Sequence, residues 1–232
     1  MTNISANLQA VNARISAAAR AAGRTPESVR LLAVSKAWPA ASVREAAACG
    51  QRAFGENYLQ ESLPKIAELS DLGLEWHFIG PLQGNKTRAV AERFDWVHGI
   101  EREKIAARLS AQRPAGMPLL QVCLQVNVSG EAAKSGVAPE QVPALARAVA
   151  VLPGLRLRGL MAIPEASDDA ALLRQRYALL RELLVRLNSA GMDLDTLSMG
   201  MSHDLEAAIT EGATIVRVGT AIFGARINRG PT

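Results

Sequence analysis

Aromatic residues, cysteines and long apolar runs are all scarce in this chain of 232 residues. With 4% aromatic but 49% hydrophobic residues, the core must be filled mainly by Ala, Val, Leu and Ile. No apolar run approaches the ~18 residues of a membrane-spanning helix, so a membrane protein is not predicted. The two cysteines, Cys49 and Cys123, are far apart and lack metal-ligand spacing. They are predicted to be reduced core thiols.

Acidic residues are missing from the start of the chain, where none precedes Glu27. This segment is rich in Ala, Ser and Arg, a composition that it shares with organelle transit peptides. However, apolar residues recur there at the spacing of one helix face, at Ile4, Leu8, Val11 and Ile15. We therefore expect a first amphipathic helix that packs on the domain of a cytoplasmic protein.

Positive charge is present but dispersed, with a formal net charge of +4. The densest group of arginines lies at helical spacing beside leucines, without interleaved aromatic residues that could stack on bases. This pattern is typical of the solvated face of an amphipathic helix, so nucleic-acid binding is not predicted. The three histidines show no His-x-x-x-His spacing, and no metal site is predicted.

Short β-rich segments alternate with helical patterns from residue 30 onward, in units of about 25 residues typical of βαβ construction. The predicted strands are residues 30–35, 52–55, 75–79, 95–98, 119–126, 155–162, 196–199 and 214–218. The Gly-x-Gly-x-x-Gly turn of an open doubly wound sheet is missing. The sequence therefore predicts an α/β fold: a single (β/α)₈ TIM barrel with an extra N-terminal helix, forming one domain over residues 1–232.

Capping residues predict where two of the helices begin. Asn85 is expected to cap a helix over residues 86–93, and Ser202 a helix from His203 to about Glu211. The longest helix is expected to begin at Ser167-Asp168-Asp169 and to end at Gly191.

Lys36 ends the first predicted strand, on the same side as Leu32 and Val34. In barrels of this kind the active site lies at the carboxyl ends of the strands. If Leu32 and Val34 face the interior, the amine lies in the barrel mouth, where desolvation favours its uncharged, nucleophilic form. The alternative is a lysine that extends from a strand end into solvent.

The turns after the last two strands predict a phosphate site. Ser202 opens a helix whose first amides can bind an anion, and Gly219 and Thr220 follow strand eight. Strand eight pairs with strand one in a closed barrel, so Gly219 and Thr220 should lie beside Lys36. A Schiff-base lysine next to a phosphate cradle suggests a phosphorylated aldehyde as ligand.

Arg217 shares one face of strand eight with Ile215. If that face points inward, the guanidinium would face the ring nitrogen of a bound pyridoxal 5'-phosphate (PLP). Arginine is a permanent donor that cannot protonate this nitrogen, so the cofactor would be a weak electron sink. The alternative is an arginine paired with an acid at the barrel rim.

Short motifs over nearly the whole chain match one known family. They are Ala33-Val34-Ser35-Lys36, Phe54-Gly55-Glu56-Asn57-Tyr58, Trp76-His77-Phe78-Ile79-Gly80-Pro81-Leu82-Gln83, Gln125-Val126-Asn127, Lys134-Ser135-Gly136, Gly159-Leu160-Met161, Leu197-Ser198-Met199-Gly200-Met201-Ser202 and Val216-Arg217-Val218-Gly219-Thr220-Ala221-Ile222-Phe223-Gly224. The chain thereby resembles the pyridoxal phosphate homeostasis proteins of the YggS/PROSC type. That family is similar to the N-terminal barrel of bacterial alanine racemases and to the barrel of eukaryotic ornithine decarboxylases.

The resemblance implies a set of PLP contacts. They are Lys36, Asn57, Ser202, Arg217, Gly219 and Thr220. It implies that Lys36 carries PLP as an internal aldimine, that Arg217 lies at the ring nitrogen, and that Asn57 lies near the ring and its 3'-oxygen. His77 and Met161 are expected to line the mouth.

Three local departures from the family pattern concern the surroundings of these contacts. Ala37 and Trp38 replace Thr and Lys or Gln after the lysine, and His203 replaces the usual Asp. Residues 98–101 replace a segment that bears Ser and Asp. None of these departures removes an expected PLP contact.

The sequence favours a PLP carrier over a PLP enzyme. Alanine racemases obtain a tyrosine base from a separate β-domain of a partner subunit, and the short segment before Thr232 leaves no room for such a domain. Of the two tyrosines, Tyr177 falls in a helix, and Tyr58 stays open as a second base. The resemblance implies a protein that holds PLP and passes it to PLP-accepting apo-enzymes, and the exposure of one barrel mouth suggests a monomer. A PLP-dependent racemase-like enzyme and a cofactor-free Schiff-base aldolase remain as alternatives.

Overall fold

A closed barrel of eight parallel strands forms the centre of the molecule. The computed structural model describes residues 3–131 and 135–225, so Lys134 of the family-like motifs lies outside the described residues. The strands follow one another around the barrel in sequence order, and the last pairs with the first. They are β1 Arg30–Val34, β2 Ala53–Glu56, β3 Glu75–Phe78, β4 Trp96–Ile100, β5 Leu120–Gln125, β6 Leu155–Met161, β7 Thr196–Ser198 and β8 Ile215–Val218.

Helices surround the barrel. Within the described residues they are α1 Ile4–Ala21, α2 Ala40–Ala48, α3 Leu59–Glu68, α4 Thr87–Arg93, α5 Glu103–Gln112, α6 Val142–Ala150, α7 Ala170–Ser189, α8 Leu205–Thr210 and α9 Thr220–Phe223. Each predicted strand is present with small shifts at its ends. The prediction of a TIM barrel is therefore confirmed.

Alternate residues of each strand face either the barrel interior or the surrounding helices. The interior cluster consists of Leu32, Ala53, Trp96, Cys123, Met161 and Ile215. Leu31 and Ala33 of β1 belong instead to the larger core between strands and helices, as do Val216 and Val218 of β8. The inward faces expected for β1 and β8 are thus confirmed at Leu32 and Ile215.

The N-terminal segment forms the amphipathic helix that its spacing predicts. Its apolar residues Ile4, Leu8, Val11 and Ile15 are all buried. The Oδ1 atom of Asn3 accepts a hydrogen bond from Ala6 N at 3.0 Å and so caps the helix. Among the described helices, none has both the length and the apolar character that a bilayer crossing demands.

Both single-residue caps predicted from the sequence are wrong, although the cap of the longest helix is right. A 3₁₀ turn over Gly84–Lys86 precedes α4, and Asn85 does not cap it. Helix α8 begins at Leu205, two residues later than expected, with Asp204 at its N-cap position. In contrast, the Oδ1 atom of Asp169 accepts from Ala171 N and Leu172 N at the start of α7, as expected.

Tertiary contacts explain the late start of α8. The carboxylate of Asp204 accepts from the amide of Met201 at 2.5 Å and from the hydroxyl of Tyr177 at 2.8 Å. These bonds hold residues 202–204 as a turn. Cys49 also differs from its prediction, because it lies exposed at the end of α2, whereas Cys123 is buried as expected.

Candidate functional site

Lys36 lies in the turn that directly follows β1, at the carboxyl end of the barrel. The residue before it is held on both sides, since Ser35 N donates to Gly55 O at 3.0 Å and Ser35 O accepts from Trp38 N at 3.1 Å. The amide of Ala37 donates to Glu61 Oε2 of α3 at 3.1 Å. The backbone on either side of the amine is therefore fixed by β2 and α3.

Ala37 has a backbone conformation that is unusual for a residue with a side chain. Its φ is 65°, in the left-handed region, which costs about 1 kcal/mol or more for a residue other than glycine. Such strain persists only where the surroundings enforce it, and it is common next to functional groups. Trp38 then stacks on Phe223 of α9, with ring centroids 5.9 Å apart, so the lysine turn packs against the segment after β8.

A buried ion pair lies behind the lysine turn. Glu56 is fully buried, and its Oε1 atom accepts from Lys65 Nζ at 2.6 Å and from Ser35 Oγ at 2.7 Å. The ammonium of Lys65 also donates to Ser35 O at 2.9 Å. Burial raises the pKa of Glu56 despite these hydrogen bonds. Sequence reasoning missed this cluster because Lys65 falls in an ordinary amphipathic helix pattern.

The pairing of β8 with β1 brings Gly219 against the strand that carries Lys36. Ala33 is the register partner of Val218. A Cβ added to Gly219 would lie 3.1 Å from Val34 O and 3.3 Å from Val34 Cβ. A side chain at this position would therefore be crowded against Val34, which favours glycine in addition to the reason expected from the sequence. The neighbourhood predicted for Lys36 and Gly219 is present.

Gly219 also begins the short helix α9. Its carbonyl accepts from Ile222 N and Phe223 N, both at 2.9 Å. The amides of Thr220 and Ala221, in the first turn, have no helical acceptor. Thr220 is exposed. Two main-chain donors and one hydroxyl are thus presented next to β1.

Arg217 points into the barrel and is only 4% exposed. Its Nη1 atom donates to Ser198 O at 2.5 Å and to Ser198 Oγ at 2.8 Å, and its Nη2 atom donates to Ala162 O at 2.8 Å. Among the described residues it forms no ion pair, which removes the alternative of a rim salt bridge. Burial lowers the pKa of the guanidinium.

Ser198, which ends β7, and Ser202, in the turn that follows, have different surroundings. Ser198 is fully buried and bonded to Arg217 and to the Nδ1 atom of His98 at 2.7 Å. Ser202 lies in the turn before α8 and is partly exposed. Its carbonyl accepts from Arg14 Nη2 of α1 at 3.0 Å. Ser202 is therefore the serine that remains open to a ligand, although it does not cap the helix.

Helix α1 contacts both turns that were expected to hold phosphate. Besides the bond to Ser202 O, Arg14 forms a two-bond ion pair with Glu206 of α8, at 2.8 and 2.9 Å. Asn7 Nδ2 donates to Ile222 O of α9 at 2.8 Å. The N-terminal helix therefore links the turns that follow β7 and β8.

Asn57 follows β2, at the same end of the barrel as Lys36. Its Oδ1 atom is buried and has no hydrogen-bond partner among the described residues. Gly80 packs on its backbone, where an added Cβ would lie 2.3 Å from Asn57 O. A buried acceptor without a partner is costly in a folded protein, so Asn57 offers a position for a ligand donor.

His77 and Met161 lie deeper than expected. Both are fully buried, His77 next to His98 inside the barrel and Met161 in the interior cluster. Since neither side chain is exposed, the expectation that they line the mouth is wrong. Within the part of the chain that the structure describes, no group of three or more His, Cys, Asp or Glu could hold a metal ion.

The chain is similar to known proteins in sequence and in fold. Residues 6–227 match the family model described as alanine racemase, N-terminal domain. The chain belongs to this family. Within the alanine racemase N-terminal domain family, it is 67% identical over 226 residues to the pyridoxal phosphate homeostasis protein of Pseudomonas aeruginosa, covering 97% of each chain. It is 53% identical to the protein of that name from Escherichia coli K12, covering 97% of this chain and 98% of the relative.

A solved structure also superimposes on the barrel. The structure of PipY from Synechococcus elongatus with PLP bound has a TM-score of 0.85 and 39% sequence identity. It covers 96% of this chain and 100% of the PipY chain. The resemblance expected from the motifs is therefore confirmed.

Proposed function

We propose that this chain holds PLP through Lys36 and serves PLP homeostasis as a carrier or buffer of the cofactor. The observation that carries the proposal is the pairing of β1 with β8, which packs Gly219 against Val34, two residues before the lysine. A primary amine and a set of main-chain donors thus lie at neighbouring strand ends. The relatives named as PLP homeostasis proteins and the PLP-bound PipY structure support the same cofactor.

The residues present fit a phosphorylated pyridine aldehyde. When bound, PLP supplies an aldehyde that reacts reversibly with primary amines. Lys36 offers the amine, while Ser202, Gly219 and Thr220 offer two hydroxyls and main-chain amides to the phosphate. The buried Oδ1 atom of Asn57, which lacks a partner in the described chain, can accept from a hydroxyl donor of the ligand.

Arg217 argues for holding PLP rather than for catalysis. Its guanidinium is held by Ser198 and Ala162 as a permanent donor, which cannot transfer a proton to a ring nitrogen in the way that a carboxylic acid does. A ring that is not protonated withdraws electrons weakly. This is suited to a protein that retains the cofactor without driving chemistry on amino acids.

The tyrosines also support a carrier. The hydroxyl of Tyr177 donates to Asp204, and burial raises the pKa of this phenol, so Tyr177 is not a base at neutral pH. Tyr58 is 51% exposed at the start of α3. A base that is so open to water abstracts a substrate proton poorly, since catalytic bases act in excluded sites.

We further propose the setting in which the protein works. The chain is one PLP-binding domain over residues 1–232, acts as a monomer in the cytoplasm, and delivers PLP to apo-enzymes that accept it. The relatives named as PLP homeostasis proteins support the delivery of PLP.

The proposal is tested by the absorption spectrum and by covalent trapping. Purified protein is expected to be yellow, and borohydride should leave a stable adduct of PLP mass on Lys36. The Lys36→Ala variant should lose the visible absorption band, whereas the exposed Lys104→Ala variant should keep it. A Lys36→Ala protein with the wild-type spectrum would refute the role of Lys36.

A turnover assay separates the carrier from an enzyme. PLP-loaded protein is incubated with single L-amino acids, and D-enantiomers and amines are measured by chiral chromatography. No product in excess of the protein concentration is expected. Multiple turnovers with any amino acid would contradict the carrier.

A further inference from the structure

A chain of buried polar side chains runs through the barrel interior from Arg217 to the opposite end. Ser198 Oγ contacts Arg217 Nη1 at 2.8 Å and His98 Nδ1 at 2.7 Å. His98 Nε2 lies 2.9 Å from His77 Nδ1, and His77 Nε2 bonds to Glu75 Oε1. Glu75 begins β3 and forms an ion pair with Arg30, the first residue of β1, at 2.8 Å.

We propose that His77 and His98 are positioning residues for Arg217 and act on it through Ser198. In the hydrogen-bonded chain that these side chains form, every proton is donated in the direction from the guanidinium towards Glu75. The significance of this chain for PLP rests on the proposed function, because Arg217 is expected to face the ligand. The direction of the chain is a property of the protein alone.

The two ends of the chain determine its direction. A guanidinium has donors but no acceptor, and an ionised carboxylate has acceptors but no donor. If both imidazoles are neutral, His77 donates from Nε2 to Glu75 and accepts at Nδ1 from His98 Nε2–H. His98 then accepts at Nδ1 from the Ser198 hydroxyl, whose oxygen in turn accepts from Arg217. All five groups are satisfied in this one arrangement.

Burial supports neutral imidazoles between the charged ends. His77, His98 and Ser198 are fully buried. Burial lowers the pKa of both histidines, and for His98 the positive charge of Arg217 adds to this effect. Although burial opposes it, hydrogen bonding from His77 together with the Arg30 ion pair lowers the pKa of Glu75 to about 2, so the carboxylate is ionised.

The chain has a consequence for Arg217. The Ser198 hydroxyl donates its proton to His98, and this bond turns its oxygen lone pairs towards Arg217. An imidazole that carried its proton on Nδ1 would donate to the Ser198 oxygen and leave the hydroxyl proton without this acceptor. Trp96 stacks on His77, with ring centroids 5.3 Å apart and planes 7° from parallel, and so restrains the orientation of this imidazole.

Nitrogen-15 NMR of the histidine side chains tests the direction of the chain. The protein has three histidines, so His98→Gln and His203→Gln variants assign every signal. In cofactor-free protein at pH 7, both buried rings should be neutral, with the Nε2–H tautomer favoured by about tenfold or more. A dominant Nδ1–H tautomer on either ring, or a doubly protonated His77, overturns the proposal.

The Glu75→Gln variant tests whether the carboxylate sets the direction. A Gln amide can donate as well as accept, so both tautomers of His77 should become populated in comparable amounts. Exposed Glu27→Gln is the control and should leave the spectrum unchanged. An unchanged tautomer in Glu75→Gln contradicts the assigned role of Glu75.

PLP binding tests whether the chain positions Arg217. Ser198→Ala should raise the dissociation constant for PLP about three- to tenfold and shift the absorption band, and Ser198→Thr should restore both. Thr196→Val removes another hydroxyl of β7 and should have neither effect. Wild-type affinity and spectrum in Ser198→Ala overturn the positioning role.

If wild-type protein binds no PLP, the proposed function fails, while the NMR result still decides the direction of the chain.

Discussion

The setting of Lys36 depends on a second, buried lysine. Lys65 is 6% exposed, neutralises Glu56 and donates to the carbonyl of Ser35. Through Ser35 it fixes the main chain next to the amine. A charge pair removed from water adds little to stability when intact, but loss of one partner leaves an uncompensated charge in the interior.

Replacing Lys65 should therefore destabilise the fold strongly. We expect Lys65→Met to lower the free energy of unfolding by about 3–5 kcal/mol, measured by urea denaturation. The Glu56→Leu/Lys65→Met double variant should be more stable than Lys65→Met, because no charge is left unpaired. Exposed Lys104→Met is the matched control. If the double variant is no more stable than the single one, the unpaired charge is not the cause.

At the residue scale, Lys36, Arg217 and Gly219 could be predicted from sequence because each belongs to a strand end with a known partner strand. Lys65 could not, since a lysine in an amphipathic helix carries no local sign of its burial. His77 was expected at the mouth, and its contact with His98 inside the barrel could not be predicted, because it depends on which residues of β3 and β4 face inward.

Helix α1 supports the turns after β7 and β8 without contributing a residue to the expected ligand contacts. Arg14 bonds to Ser202 O and Glu206, and Asn7 bonds to Ile222 O. Both turns lie far from α1 in the sequence. By contacting both, the helix holds the two turns in fixed relative positions. Helix α1, which is additional to the eight βα units, thus supports the site from outside.

Loss of the Arg14 contacts should weaken retention of PLP. One hydrogen bond to a charged donor is worth about 1.5–3 kcal/mol, but part of Arg14 is open to water. We therefore expect Arg14→Ala to increase the PLP dissociation rate by about three- to tenfold. Stopped-flow transfer of PLP to an acceptor enzyme measures this rate. Arg20→Ala, which removes an exposed arginine of the same helix, should behave as wild type.

At the element scale, all eight strands follow from β-rich segments at regular spacing, but the helix starts do not all follow from capping residues. Ser202 and Asp204 are both good N-cap residues. The bonds from Met201 N and Tyr177 to Asp204 decide between them. The partner on α7 is distant in sequence, so local patterns could not indicate it.

The barrel as a whole has different chemistry at its two ends. The carboxyl end presents Lys36 and the turns after β7 and β8, while the amino end carries the ion pair of Arg30 with Glu75. Strand order and closure could be predicted from the sequence, because parallel strands joined by helices have few alternative solutions. The polar chain between the two ends depends on which side chains of each strand face the barrel interior. This could be predicted only for strands whose register was assigned correctly.

Acid should destabilise the whole barrel through Glu75. Its pKa in the folded protein is about 2, below the ordinary value of 4.5, so its contribution is complete above pH 4.5 and is lost as the pH falls towards 2. For this partly exposed group we expect a contribution on the order of 1–2 kcal/mol. Urea denaturation of wild type and Glu75→Gln across this range measures it. A stability difference that stays constant down to pH 2 would contradict this assignment.

Closure of β8 onto β1 also determines when the ligand site can exist during synthesis. Lys36 emerges from the ribosome early, whereas Gly219 and Thr220 emerge long after it. A nascent chain stalled before β8 carries the amine without its cradle and without the strand that closes the barrel. On the proposed function, a chain that has not yet formed β8 should therefore not retain PLP.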